Sequence, residues 1–345
     1  MLAVQDYKRS THLYIYWDDM NRLIVFQYNR HIRARISKKT FDVLDMLSNW
    51  KTSKELLSSV KENNQKSLLR VLNQLVRFKI IYTKPVQKDD NILSGTYWNS
   101  VDLAMQRQIS YGGYYPGSTT GHKPPGAIRY FKGKSTINFS PPRAHNKQGF
   151  YEVLDKRKTI RTYGRGRVSI DELSQLLYYC ARVKMVFKDV VLGTMTRRPY
   201  PSGGARHPLE IYPVCNYVTG IDSGIYYYNP VKHNLVLVNR SNKYQRMFNM
   251  WVRQETAPKI NREPDVTFVI TAVFARTMWK YKYIGLATIM KDLGCLYQTM
   301  YLVATEMGLA PCAIGATNER LVRDWLKLNW FTESHVGCFT LGKPR

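Results

Sequence analysis

The sequence is short of acidic residues, short of cysteine, and without any hydrophobic run that could cross a bilayer. Only 25 Asp and Glu stand against 52 Lys and Arg, a formal charge of +27. A field of that sign favours nucleic acid, anionic membranes, acidic peptides or phosphate-bearing cofactors, and says little about fold. The five cysteines, Cys180, Cys215, Cys295, Cys312 and Cys338, are odd in number and scattered. With no CxxC pair and no His/Cys cluster, they argue against a disulfide framework or a metal site and fit reduced thiols in a cytoplasmic protein. The longest apolar stretch, around Val266 to Ala275, is too short for a membrane span and reads as a core strand. No signal pattern opens the chain, and no GxGxxG nicotinamide fingerprint occurs. Aromatics are plentiful, with 25 Tyr among 345 residues, which excludes a disordered chain and leaves enough material for a sizeable core.

Residues 1–95 read as a separable unit. Leu13–Trp17 and Leu23–Phe26 are strand-like, with Asp18-Asp19 as a turn. Ser37 precedes a helix over Lys38–Leu47, Thr52-Ser53 opens a second, short one, and Leu68–Val76 forms a third before the strand Ile80–Tyr82. Three helices and a strand predict a winged helix. The unit holds 17 Lys and Arg against 9 Asp and Glu, +8 of the total. Its third helix carries few basic residues, so the charge is not gathered into a DNA-reading head. Taking an extended peptide beside its sheet is the second use of such a unit, and the arrangement resembles the PqqD-like peptide-recognition domains.

Residues 96–150 are rich in turn signals, Gly112-Gly113, Pro116-Gly117, Pro124-Pro125-Gly126 and Pro141-Pro142, and predict an irregular connector. Residues 151–345 alternate helices with apolar strands, as one α+β domain would. Here the candidate chemistry lies. Arg157, Thr159 and Arg161 put two guanidinium groups and a hydroxyl in one short strip, a grip suited to phosphate. Pro201-Ser202-Gly203-Gly204 lets the backbone approach a planar ligand closely, since glycine has no Cβ. The buried strand Leu209–Val214 follows it. Asp292 falls inside an apolar helix, where a carboxylate requires a partner such as Lys280 or a backbone donor.

RKTIRTY, RRPYPSGGARHPLEIY and MWKYKY with the helix Ile289–Met307 after it, in this order and spacing, resemble the SagB-type azoline oxidases of the FMN-dependent nitroreductase superfamily. The resemblance runs from Lys156 to Arg345. It implies an α+β nitroreductase-like FMN-binding domain, preceded by the winged-helix unit, that works as a homodimer. It implies that Arg157, Thr159 and Arg161 hold the FMN phosphate and ribityl chain. Pro201, Ser202, Gly203 and Gly204 would line the ring, with Ala313, Ile314 and Gly315 over its other edge and Lys343 and Arg345 near the phosphate. Arg206 and His207 would lie near the substrate. Lys280-Tyr281, rather than Lys282-Tyr283, matches the family's catalytic Lys-Tyr pair. Where many relatives continue with Arg-Gly-Tyr-Arg, this chain has Ile284-Gly285-Leu286-Ala287, and Cys338 stands in place of a Glu.

The reaction so implied oxidises thiazoline or oxazoline rings in a ribosomal peptide, removing a proton from one ring carbon and a hydride from its neighbour. A lysine taken out of water beside the ring suits the proton. The implied partners are an azoline-containing precursor peptide and a cyclodehydratase, with no membrane and no nucleic acid. Two other readings remain open from the residues: a nitroreductase-like oxidoreductase on a small free substrate, and a winged-helix nucleic-acid-binding redox regulator.

Overall fold

A computed structural model describes residues 5–18, 20–28, 30, 32–84, 126, 128–129, 131, 135–142, 149–189, 193–256, 260–281, 284–329 and 332–345. Two compact units divide the chain, Met1–Gly113 and Tyr114–Arg345. Most of the expected connector, including Gly112-Gly113 and Pro124-Pro125, lies outside the described residues, as do Asp19, Lys282 and Tyr283.

The first unit runs β1 (Asp6–Arg9), β2 (Leu13–Trp17), β3 (Leu23–Gln27), β4 (Ile32–Arg35), α1 (Lys38–Met46), β5 (Lys51–Thr52), α2 (Ser53–Ser58), α3 (Glu62–Arg77) and β6 (Ile81–Thr83). Strands β2, β3 and β4 form an antiparallel meander, and β5, β1 and β6 a second small sheet in that order. Ser37 starts α1 by accepting the Thr40 N–H, and Thr52 with Glu55 builds a reciprocal capping box on α2. Asp18 accepts the N–H groups of Met20 and Arg22, which makes the β2–β3 turn. Helix α3 buries Leu68, Leu72 and Leu75 onto Val25, Leu44, Leu56 and Ile81. It starts at Glu62 rather than Leu68; the residues Glu62-Asn63-Asn64-Gln65 are polar, so apolar spacing does not mark them as helix.

The second unit centres on a seven-stranded antiparallel sheet, ordered β14-β15-β13-β10-β11-β12-β7. These strands are β7 (Thr136–Asn138), β10 (Leu209–Cys215), β11 (Gly224–Asn229), β12 (Asn234–Asn239), β13 (Val266–Val273), β14 (Ala310–Ile314) and β15 (Glu333–Gly342). A separate hairpin pairs β8 (Met185–Asp189) with β9 (Gly193–Arg197). The helices are α4 (Phe150–Lys156), α5 (Ile170–Ala181), α6 (Asn242–Glu255), α7 (Ala275–Met278), α8 (Gly285–Glu306) and α9 (Glu319–Leu326).

Strands β10, β11, β13 and β15 are buried along their whole length, because both sheet faces are covered. Leu209 and Ile211 of β10 join Phe268 and Ile270 under α5 and α8. Tyr212 and Val214 point the other way and join Val269 under Phe248 of α6 and Trp325 of α9. Period-2 alternation thus feeds two apolar cores, one on each side. No helix among the described residues is long and apolar enough to cross a membrane.

Candidate functional site

The Pro201–Pro208 loop leaves the β9 hairpin and turns sharply before β10. Gly204 takes φ +63°, and Ala205 and His207 follow in the same left-handed region, which glycine enters at least cost. The loop is tied to α8. Ser202 Oγ donates to one oxygen of Asp292 at 2.6 Å, and the Gly203 N–H donates to the other at 3.0 Å. Ser202 Oγ in turn accepts the His207 N–H at 2.9 Å. Asp292 is buried; desolvation pushes its carboxyl above the ordinary range, and the bonds from Ser202 and Gly203 oppose that. The two glycines are needed for close approach. A Cβ on Gly203 would stand 2.3 Å from Thr288 Cγ2, and one on Gly204 would stand 3.0 Å from the Tyr281 hydroxyl.

Tyr281 therefore borders this loop, with Lys280 next to it in the chain. Their N–H groups bond the Thr277 carbonyl at 3.2 and 3.0 Å, continuing α7 as a turn. Lys280 is buried, its Nζ 5.3 Å from the Tyr281 ring centroid.

Arg206 and His207 were expected beside the substrate. Arg206 is fully buried, so it offers a substrate no accessible surface in this chain. Its Nε donates to the Arg276 carbonyl and its Nη1 to the Thr194 carbonyl. His207 is buried edge-on to Tyr200, and burial with nearby Arg198 brings its imidazole down to about 3. Both residues brace the loop from inside.

The Arg157–Arg161 strip lies at the other end of α8. It follows directly on α4, whose last residue is Lys156. Lys156, Lys158 and Ile160 line a surface cleft of about 430 Å³ with Thr305 and Pro344. The Arg157 guanidinium lies 5.4 Å from the Tyr301 ring centroid, and Thr159 Oγ1 is 2.9 Å from the Tyr301 hydroxyl. That hydroxyl also accepts the Ala313 N–H at 2.8 Å. Tyr301 thereby joins the strip to Ala313, with Ile314 buried beside it and Gly315 exposed.

Among the described residues neither Arg157 nor Arg161 has a carboxylate partner. Two partly exposed guanidinium groups without counter-charges fit a phosphate dianion. The Lys343 ammonium is already bonded to Glu172. Its carbonyl accepts the Gly164 N–H, which keeps Lys343 and exposed Arg345 beside the strip in the fold.

Asp292 and Tyr301 are nine residues apart on one helix, about half a turn out of phase and about 13 Å along its axis. The loop and the strip thus occupy opposite sides of α8. Tyr301 was not legible as a site residue, since a tyrosine in an apolar helix reads as core.

The nitroreductase family model matches residues 154–343, more than half of the chain. MJ1384 of Methanocaldococcus jannaschii, a protein named for the nitroreductases, is 29% identical over 184 residues, 51% of this chain and 83% of that protein. The trifolitoxin-processing protein TfxB of Rhizobium leguminosarum bv. trifolii is 29% identical over 177 residues, 50% of this chain and 47% of its own length. The microcin B17-processing protein McbC of Escherichia coli is 29% identical over 118 residues, 33% of this chain and 42% of its own. The chain spans less than half the length of these last two.

Proposed function

The chain belongs to the nitroreductase family, and from that premise we propose that it is an FMN-dependent dehydrogenase that converts thiazoline or oxazoline rings of a ribosomal peptide to thiazoles or oxazoles. FMN is the cofactor of that family. The observation that carries the reading is the contact between Tyr281 and the Gly203-Gly204 turn. It brings the Lys-Tyr pair to the loop suited to a planar ring. The peptide-processing relatives TfxB and McbC support the substrate class.

In this reading Arg157 and Arg161 take the cofactor phosphate, with Thr159 and the Ala313–Gly315 segment beside it. Asp292 fixes Ser202 and Gly203 so that the turn keeps one shape. Bound FMN supplies the hydride acceptor. Lys280 Nζ accepts the proton from the neighbouring ring carbon, and Tyr281 orients the azoline. Because the loop and the strip lie on opposite sides of α8, a homodimer, in which each chain completes its partner's site, is the proposed working form.

The first unit is proposed to be the winged-helix, PqqD-like peptide reader. The succession α1-β5-α2-α3-β6 and the small β5-β1-β6 sheet support this. Its ligand would be the leader of the precursor peptide, with a cyclodehydratase acting before it.

The visible absorption spectrum, with mass analysis of the cofactor released on denaturation, tests the flavin site. Azole formation then tests the substrate. Lys280→Ala is expected to abolish ring oxidation and keep FMN. A colourless protein that takes up no added FMN defeats the proposal. Equal loss of nitro-group and azoline reactivity in Lys280→Ala would by itself favour neither this reading nor a small-substrate oxidoreductase.

A further inference from the structure

Lys280 and Tyr281 hang from α7, a helix of four residues that has no side-chain cap. Its position depends on a buried ion pair. Arg276 Nη2 lies 2.6 Å from Glu210 Oε1, and their side chains are 3% and 2% exposed. The same guanidinium donates from Nη1 to the His207 carbonyl at 3.2 Å. The Arg276 carbonyl accepts from Arg206 Nε at 2.9 Å and from the Trp279 indole N–H at 3.1 Å. One residue therefore joins the base of β10, the Ser202–His207 loop and the turn that carries Lys280.

The carboxylate end is equally well held. Glu210 Oε2 accepts the Tyr227 hydroxyl at 3.0 Å. Arg129 Nε lies 3.6 Å from Glu210 Oε1. Its terminal nitrogens bond Glu333 and the Tyr212 hydroxyl, and Thr271 Oγ1 donates to Glu333 at 2.6 Å. Burial pushes the Glu210 carboxyl up, but Arg276, Arg129 and Arg198 outweigh it and hold it below its ordinary range. The pair is charged, buried and held on both sides. A buried ion pair of this kind is a poor source of stability, since hydrophobic replacements of such pairs fold as well. Its value lies in geometry.

We infer that Arg276 and Glu210 are positioning residues for the Lys280–Tyr281 turn, with Arg129 anchoring Glu210 from the segment before β7. The inference rests on the azoline-oxidase reading for its chemical consequence, and on bond geometry alone for the positioning.

Two variants of the full-length flavoprotein test it: Arg276→Lys, which keeps charge but loses the fork, and the neutral double variant Glu210→Gln with Arg276→Gln. The substrate probe is a synthetic peptide with one thiazoline ring. In Arg276→Lys we expect kcat to fall about 100-fold, as a misplacement near 1 Å does, with KM and FMN content unchanged. Hydrogen exchange at the Lys280 and Tyr281 amides should rise. The double variant should regain thermal stability yet keep the low kcat. The idea is overturned if Arg276→Lys keeps wild-type exchange at those two amides, or if kcat recovers with stability in the double variant. If the wild-type protein oxidises no azoline, the chemical reading falls, and the exchange data still decide the positioning.

Discussion

Asp292, buried in the middle of α8, accepts the Ser202 hydroxyl at 2.6 Å. The bond fixes a loop from a position 90 residues further along the chain. Removing it in Asp292→Ala leaves Ser202 Oγ and the Gly203 N–H without their acceptor, a cost of about 1–3 kcal/mol. Asp292→Asn keeps one acceptor and should lose less than half of that. Denaturant midpoints, read together with FMN content, measure both.

Gly203 faces Thr288 with no room for a methyl group. Gly203→Ala is expected to cost about 1–3 kcal/mol through overpacking. Thr288→Ala, which deletes the obstructing Cγ2, should recover most of that loss in the double variant. A double variant no more stable than Gly203→Ala would show that the loop is limited by something other than this contact.

The Tyr301 hydroxyl serves Thr159 and the Ala313 N–H together. Tyr301→Phe unpairs an amide and unlinks the strip from β14, for about 1–2 kcal/mol. If the strip holds the cofactor phosphate, FMN retention on gel filtration falls in the same variant, while Tyr217→Phe on the surface leaves it unchanged.

Acid should destabilise this protein at unusually mild pH. Burial brings His233 and His335 down to about 4 and, with Arg198, His207 to about 3. The unfolded chain takes up these protons near pH 6.5, and the folded chain resists them. The stability they confer is complete above pH 6.5 and is lost as pH falls toward 4. Each contributes a slope of up to about 1.4 kcal/mol per pH unit. His335 accepts the Asn318 N–H at Nδ1 and donates from Nε2 to the Gly337 carbonyl. His335→Gln should flatten the decline by one proton's share, seen in urea titrations between pH 4 and 7.

Local chemistry was the legible part of this sequence. Ser37 and Thr52 announced two helix starts, and each caps its helix. The apolar runs at Leu209 and Val266 announced the central strands. The candidate site was legible where backbone form dictated residue type, as at Gly203-Gly204, and in the need of Asp292 for a partner. Burial of arginine was not legible. The resemblance put Arg206 near the substrate, and most arginines are exposed, yet carbonyl acceptors 12 and 70 residues away let this one be buried. Nor could Glu210, Glu333 and Arg129 be linked from sequence, since their partners lie up to 204 positions apart. Pairings of that range are set by sheet register, which single residues do not record. The α8 start at Gly285, ahead of the expected Ile289, depends on Met278 packing where a Cβ would stand.

Strand β15 lies between β13 and β14 and follows both of them in sequence. During synthesis, then, β13 has a neighbour on one side only until β15 emerges. Val266–Val273 is a fully buried apolar strand in the finished sheet, so the growing chain carries a bare, sticky edge through the making of some sixty further residues. Closing the sheet is a long-range event and is intrinsically slow. Recombinant yield should therefore depend on temperature and on chaperone supply more than on the stability of the finished protein. Premature stops before Glu333 should give aggregates rather than a trimmed enzyme.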